Sequence, residues 1–203
     1  MSETTPALPL LSLDTLVVRQ KVKLFELRND FAILDERGAT VGSVQQVGQS
    51  LLAKALRVTS DLDVALPVTL EVRDAAGLPV LRLDKPWLRW ACRVSLPDGT
   101  AVGLVTKRVR LGKARFTLTA PDGRPLGEVV AENWRAREFA VRDSAGQEAA
   151  RVTKRWGGLA KELLTDADTY VIRLGPGLTD PLRSLAVGAC LAIDTVMKQK
   201  DSA

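Results

Sequence analysis

The sequence predicts a mainly β protein in which an antiparallel sheet closes into a barrel around a buried C-terminal α-helix. Three observations predict this fold: turn signals at a steady spacing, strands that alternate between apolar and polar residues, and one uniformly apolar segment near the C-terminus. The 203 residues are 46% hydrophobic and 26% charged, the composition of a globular domain that can bury a large core.

The turn signals combine Asp with Gly. They occur at Asp74-Ala-Ala-Gly77, Pro97-Asp-Gly99, Pro121-Asp-Gly123 and Asp143-Ser-Ala-Gly146, and Asp35-Glu-Arg-Gly38 has the same form. The glycines of the first four are 22, 24 and 23 residues apart. Asp side chains close tight turns and Gly supplies the positive φ that such turns need, so each signal predicts a β-hairpin.

The segments between the turns alternate as strands do. In the segment 68–73, Val68, Leu70 and Val72 share one face, while the intervening polar residues share the other. Two such strands every 22–24 residues predict an up-and-down antiparallel sheet, long enough to close on itself and so remove its exposed edges.

Residues 180–198 break this pattern and predict a helix that starts at Asp180 and Pro181. Leu185–Ile193 contains no polar side chain, so this helix should be buried on all sides. A bilayer span needs about 20 mainly apolar residues, which favours the barrel interior over a membrane. The predicted organisation is a flexible lead-in over 1–14 and one barrel domain over 15–199, with 180–198 as its central helix.

Composition excludes several function classes. The chain has no histidine, which removes Ser-His and Cys-His nucleophile pairs and histidine metal sites, and no catalytic motif is present. Its two cysteines, Cys92 and Cys190, form no CxxC motif and are expected to be small buried residues in a reducing compartment. The N-terminus has no basic region before its apolar letters, so no secretory signal is expected and the predicted location is cytoplasmic.

Positive charge concentrates in one segment. The chain carries a net charge of +5, yet residues 82–115 alone hold nine basic and two acidic residues, a net +7. We predict that this segment forms an anion- or lipid-binding surface. Its basic side chains would bind lipid phosphates, and its tryptophan indoles would lie at the level of the headgroups. Its candidate residues are Lys107, Arg108, Arg110, Lys113, Arg115, Arg89, Arg93, Trp87 and Trp90. The alternative is a solvated barrel face with the tryptophans in the core; nucleic acid is not expected, because few aromatic residues could stack on bases.

Several runs, taken in their order, resemble a known family. Val152-Thr-Lys-Arg-Trp156-Gly, Thr165-Asp-Ala-Asp168 and Val187-Gly-Ala-Cys-Leu-Ala-Ile-Asp194 resemble the C-terminal signature of the phospholipid scramblases. The opening Leu16-Val-Val-Arg-Gln-Lys21 and Ile33-Leu-Asp-Glu-Arg-Gly38 resemble the same domain and the related LURP-one-like proteins. The resemblance implies a tubby-like fold, a twelve-stranded barrel around a hydrophobic helix, together with association with phospholipid membranes.

The resemblance also implies a calcium loop that begins at the TDAD run. Asp166 and Asp168 would then be its first and third positions, whereas the fifth, sixth and twelfth would be Tyr170, Val171 and Gly177. A calcium loop needs oxygen ligands at positions five and twelve and glycine at six. The loop is therefore incomplete, and no cofactor is expected.

Three hypotheses remain open. The first is a scramblase-like phospholipid-binding module, peripheral at the inner membrane face, which binds anionic lipid through the basic surface. The second is a soluble tubby-like scaffold for a protein partner or a small apolar ligand. The third is an enzyme, which the missing histidine and nucleophile motif disfavour.

Overall fold

Twelve strands of the chain form one closed antiparallel barrel in the computed structural model. The structure describes residues 10–20, 31–48, 67–86, 91–110, 113–133, 138–153 and 169–195. The strands are β1 (Thr15–Gln20), β2 (Phe31–Leu34), β3 (Thr40–Val47), β4 (Val68–Asp74), β5 (Pro79–Lys85), β6 (Ala91–Ser95), β7 (Ala101–Arg110), β8 (Lys113–Thr119), β9 (Pro125–Asn133), β10 (Glu138–Asp143), β11 (Glu148–Thr153) and β12 (Thr169–Leu174). Each strand pairs with its sequence neighbours, and β1 pairs with β12 to close the barrel. The predicted up-and-down topology is confirmed.

Five hairpin turns at one end of the barrel have the predicted chemistry. In each, the glycine has φ between 80° and 90° and donates its N–H to the carbonyl three residues earlier, as Gly146 does to Asp143 at 3.0 Å. The Asp143 carboxylate accepts two further backbone N–H groups, from Ala145 and Gln147, at 2.9 and 2.8 Å. The strand register shifts by one residue beside each turn, the bulge that a type I turn followed by a left-handed residue produces.

The helix α1 (Leu182–Thr195) lies inside the barrel, as predicted. Every residue from Leu185 to Ile193 for which an exposed fraction is given has at most 1% exposed. Gly188 allows the walls to approach closely, because a Cβ there would lie 2.9 Å from Val94 Cγ2 and 3.2 Å from Leu83 Cδ2. No helix in the part of the chain that the structure describes is long and apolar enough to cross a membrane.

The helix bounds differ from the prediction of 180–198. Asp180 and Pro181 form a turn before α1, and the Asp180 carboxylate accepts the Ser184 N–H at 3.0 Å. This bond supplies an acceptor for one of the N–H groups that the first helical turn leaves unpaired. Residues 196–198 lie outside the described residues.

Residues 10–14 are packed against the barrel, so the lead-in predicted over 1–14 is not loose along its whole length. Leu10 is 2% exposed in a short 3₁₀-helix, Leu10–Ser12. The Arg183 guanidinium donates to the carbonyl oxygens of Leu11 and Leu13 at 2.5 and 2.8 Å and pairs with Asp14 at 3.0 Å. Residues 1–9 lie outside the described part, and the domain bounds of 15–199 stay a prediction.

The barrel has two distinct ends. At the turn end lie the five Asp/Gly turns, the start of α1 and its Arg183 contacts. At the opposite end, which we call the β7–β8 end, β7 finishes, β8 begins and α1 terminates. Lys107, Arg108 and Arg110 lie in the last part of β7, and Lys113 and Arg115 lie in the first part of β8. These five residues, which we call the cationic run, therefore lie towards the β7–β8 end.

Candidate anion-binding surface

The antiparallel ladder of β7 and β8 positions the cationic run. Arg108 and Arg110 flank Val109 at the end of β7. Val105 lies opposite Leu118 in the register, and neither side chain is exposed to solvent. Because strand side chains alternate between faces, Val105 and Leu118 define the inner face and the residues beside them define the outer one. Arg108 and its Cα partner Arg115 therefore lie on the outer face, where both are exposed.

The same alternation separates Lys107 from the other predicted residues. Lys107 lies opposite Phe116, which is 2% exposed and belongs to the core, so Lys107 is on the inward-facing side of β7 and is half-buried. The structure thus does not bring Lys107 together with Arg108. Arg110 and Lys113 are Cα partners two residues further along the ladder, and their side chains lie outside the described part of the structure.

One arginine pair, Arg108 with Arg115, therefore meets across the outer face, but not all of its charge is available. The Arg115 Nη1 lies 3.1 Å from a carboxylate oxygen of Glu128 on β9, in a pair whose side chains are half-exposed. Arg108 has no acidic partner among the residues that the structure describes. Like charges directly opposite each other in a ladder destabilise the pairing. The Arg108–Arg115 position therefore sets two exposed cations opposite each other, and Glu128 compensates only one of them.

The remaining basic residues of the segment have different environments. Arg93 on β6 is exposed and outward-facing, and it lies opposite Leu104, four residues from Arg108 towards the turn end. Arg82 pairs with Asp84 at 3.0 Å, and this hydrogen bond raises the pKa of Arg82. Lys85 faces inward and is 3% exposed, and its burial lowers its pKa. The described basic side chains of residues 82–115 are thus divided between the two faces of the wall.

Five predicted site residues lie outside the described residues: Arg89, Trp87, Trp90, Asp166 and Asp168. The described ranges contain no group of three or more acidic, cysteine or histidine side chains that could hold a metal ion. The incomplete calcium loop therefore stays a prediction.

A groove on the same wall was not anticipated from the sequence. It lies on the β6–β8 surface nearer the turn end, has a volume of about 270 Å³, and is lined by Arg93, Ala101, Leu104, Thr119, Ala120 and Pro121. Leu104, an apolar residue of β7, is 37% exposed. Counting back in steps of two from Arg108 would have placed it on the outer face.

The fold defines the class of protein first: a twelve-stranded antiparallel barrel around a C-terminal helix is the tubby-like arrangement. A crystal structure of a protein from Arabidopsis thaliana is similar, with a TM-score of 0.51 at 16% identity, covering 89% of this chain and 90% of that one. At that identity the likeness establishes the fold alone.

The family follows from the sequence. A family model described as Scramblase matches residues 2–199, and the chain belongs to this family. It is 27% identical to a phospholipid scramblase family protein of Schizosaccharomyces pombe, over 83% of this chain and 48% of that protein. It is 24% identical to phospholipid scramblase 1 of Mus musculus, over 91% and 61%. The predicted resemblance is confirmed, and these relatives are named as scramblases rather than as catalytic enzymes. The chain spans about half to three-fifths of their lengths.

Proposed function

We propose that this chain binds anionic phospholipid at a membrane surface through the outer face of β7 and β8. The observation that carries the proposal is the Arg108–Arg115 cross-strand pair, followed along the ladder by Arg110 and Lys113. Such a pair weakens the ladder that contains it, and a bound phosphate would offset the repulsion. Both arginines are exposed, so a lipid headgroup can reach them.

The family supports phospholipid as the anion. Relatives of this chain carry the name phospholipid scramblase, and a basic strand surface suits a layer of phosphates. We further propose peripheral attachment at the cytoplasmic leaflet, because anionic lipids there attract basic surfaces with about 1 kcal/mol for each Lys or Arg.

We propose binding rather than passage of lipid through the barrel while α1 is in place. The helix residues Leu185, Leu191 and Ile193 are at most 1% exposed inside the barrel. A headgroup would have to pass between packed apolar side chains, where an unpaired charge is very costly. Transport through the interior would therefore require α1 to leave.

Co-sedimentation with liposomes tests the proposal. Vesicles of phosphatidylcholine alone and with phosphatidylserine are compared at low and high salt, with and without calcium. We expect binding only to the anionic vesicles and weaker binding at high salt, because exposed charges are screened. Arg108→Glu should weaken it roughly 10- to 30-fold, since reversal removes one attraction and adds one repulsion.

Arg37→Glu is the matched control, because it makes the same charge change at an exposed residue of the turn end. Equal losses in both variants would show that net charge, and not this surface, governs binding. Absence of binding to every vesicle would contradict the proposal and favour the alternative, a soluble barrel scaffold for a protein partner or a small apolar ligand.

A further inference from the structure

We propose that the groove beside Leu104 receives an acyl-chain segment of the same anionic phospholipid whose phosphate binds at Arg108 and Arg115. The lipid would lie along the outside of the barrel wall, parallel to β7, and not inside the barrel. This inference rests on the proposed function and adds a second, apolar contact to it.

The outer face of β7 and β8 is graded along the strands. From the β7–β8 end towards the turn end, the cross-strand pairs are Arg108 with Arg115, Thr106 with Thr117, and Leu104 with Thr119. The surface thus changes from cationic, through a row of two threonines, to an exposed leucine. A phospholipid has the same order of chemistry: a charged phosphate, a polar ester region and an apolar chain.

The spacing also fits one molecule. Arg108 and Leu104 are four residues apart on one strand, roughly 13 Å at about 3.3 Å per residue. The Thr117 and Thr119 hydroxyls donate to the carbonyl oxygens of Thr106 and Leu104 at 3.4 Å. Those two donors are therefore used within the ladder, and the row of Thr106 and Thr117 is polar but uncharged, as the ester region of a phospholipid is.

The groove is suited to an apolar segment. It has a volume of about 270 Å³ and is lined by Leu104, Ala101, Ala120 and Pro121. Arg93 borders it and is exposed, so its aliphatic stem can cover a chain while the guanidinium stays in water. A single exposed leucine is ordinary on a protein surface. Leu104 is informative because it lines a groove and also lies on the same outer face of β7 as Arg108.

The test separates the apolar contact from the charged one. The full chain is titrated with dihexanoyl phosphatidylserine below its micelle concentration and with glycerophosphoserine, which has the same headgroup and no chains. We expect the lipid to bind about five- to tenfold more tightly, because covering Leu104 removes apolar surface from water. Leu104→Asn should abolish this difference and leave glycerophosphoserine binding unchanged.

Leu78→Asn is the matched control. Leu78 is the more exposed leucine, at 62%, and belongs to the turn between β4 and β5, outside the groove. It should keep the full difference between lipid and headgroup. As a measurement on the unaltered chain, the Leu104 methyl NMR signals should shift with the lipid and not with glycerophosphoserine.

The outcomes distinguish the two proposals. Equal affinity of the chain for lipid and headgroup, together with intact binding to anionic vesicles, would overturn the groove and leave the basic surface standing. Equal effects of Leu104→Asn and Leu78→Asn would also overturn it. Failure to bind any anionic vesicle would overturn the proposed function, and with it this inference.

Discussion

At the turn end of the barrel, charged side chains are hydrogen-bonded to nearby backbone groups. At the β7–β8 end, by contrast, two like charges lie opposite each other in a strand ladder. Asp35, Asp74 and Asp143 accept backbone N–H groups within their own turns, and Arg183 binds three carbonyl oxygens and a carboxylate. Arg108 instead lies opposite Arg115. We infer that the turn end stabilises the fold and that the β7–β8 end is adapted to a ligand.

Removal of the Arg183 side chain should have the largest effect on stability. Arg183→Ala leaves the Leu11, Leu13 and Leu178 carbonyl oxygens without this donor and breaks the pair with Asp14. The Arg183 side chain is only 12% exposed, and hydrogen bonds to charged groups are among the stronger ones. We expect the free energy of unfolding, measured by urea denaturation, to fall by about 3 kcal/mol.

Arg108→Ala is the comparison at the other end. It relieves the opposition to Arg115, so stability should stay within about 0.5 kcal/mol of the unaltered chain. If Arg108→Ala were as destabilising as Arg183→Ala, the two ends would not differ in the way that we infer.

The pH dependence of stability should depend on two buried thiols, Cys92 and Cys190, which lie between the two ends of the barrel. Burial, followed by the nearby Asp84, raises the pKa of Cys92 to about 12, and burial also raises the pKa of Cys190 in α1. The unfolded thiols ionise near pH 9, so the stability that these thiols contribute is complete below that pH and is lost as pH rises towards 12. Each thiol should add a slope of up to about 1.4 kcal/mol per pH unit.

Cys92→Ala should therefore reduce the alkaline slope of stability, measured by denaturation between pH 9.5 and 11. Val105→Ala is the control: Val105 is the Cys92 cross-strand partner, and its truncation also opens space in the core but removes no titrating group. An unchanged slope in Cys92→Ala would show that this thiol ionises in the folded protein as it does in the unfolded chain.

A turn glycine should matter less than Arg183. Gly146 has φ of +81°, a conformation that costs a residue with a Cβ roughly 1–2 kcal/mol. No atom lies within 4 Å of a Cβ built there, so the cost of Gly146→Ala should be conformational alone, about 1 kcal/mol in thermal or urea unfolding. Ser144→Ala, at an exposed position of the same turn, should change stability by less than about 0.5 kcal/mol. Equal effects would show that the turn does not require the left-handed residue.

This contrast explains what the sequence could predict. The turns, the strand alternation and the buried helix depend on residues within a few positions of each other, so Gly146 and the run Leu185–Ile193 were sufficient to recognise them. The number of strands came from the resemblance and not from the turn spacing. Arg183 was not recognised, because its partners Leu11 and Leu13 are distant in sequence and are contacted through backbone carbonyls that have no sequence signal.

The basic surface was predicted only as a composition. Counting charges along residues 82–115 could not show that Lys85 and Lys107 face inward while Arg108 and Arg115 meet on the outside. Period-two counting assigns faces within a strand, but it does not assign the register between strands. Glu128, which neutralises part of Arg115, lies on the next strand and was missed for the same reason.

Substitution of Glu128 should have the smallest effect of the variants considered, and that effect should be confined to lipid binding. Glu128→Gln removes the carboxylate 3.1 Å from Arg115 and leaves a side chain of the same shape. An exposed pair of this kind contributes about 0–1 kcal/mol, so stability should barely change. Binding to phosphatidylserine vesicles should instead tighten about two- to fivefold, because Arg115 becomes available to a phosphate.

Glu148→Gln is the control for this last variant. Glu148 pairs with Arg151, the hydrogen bond to Arg151 lowers the pKa of Glu148, and both lie on β11, away from the β7–β8 ladder. It makes the same change in net charge, so a binding gain confined to Glu128→Gln would locate the contact at Arg115. Equal gains in both variants would mean that the vesicle senses only the total charge of the barrel, and the contrast between its two ends would then concern stability alone.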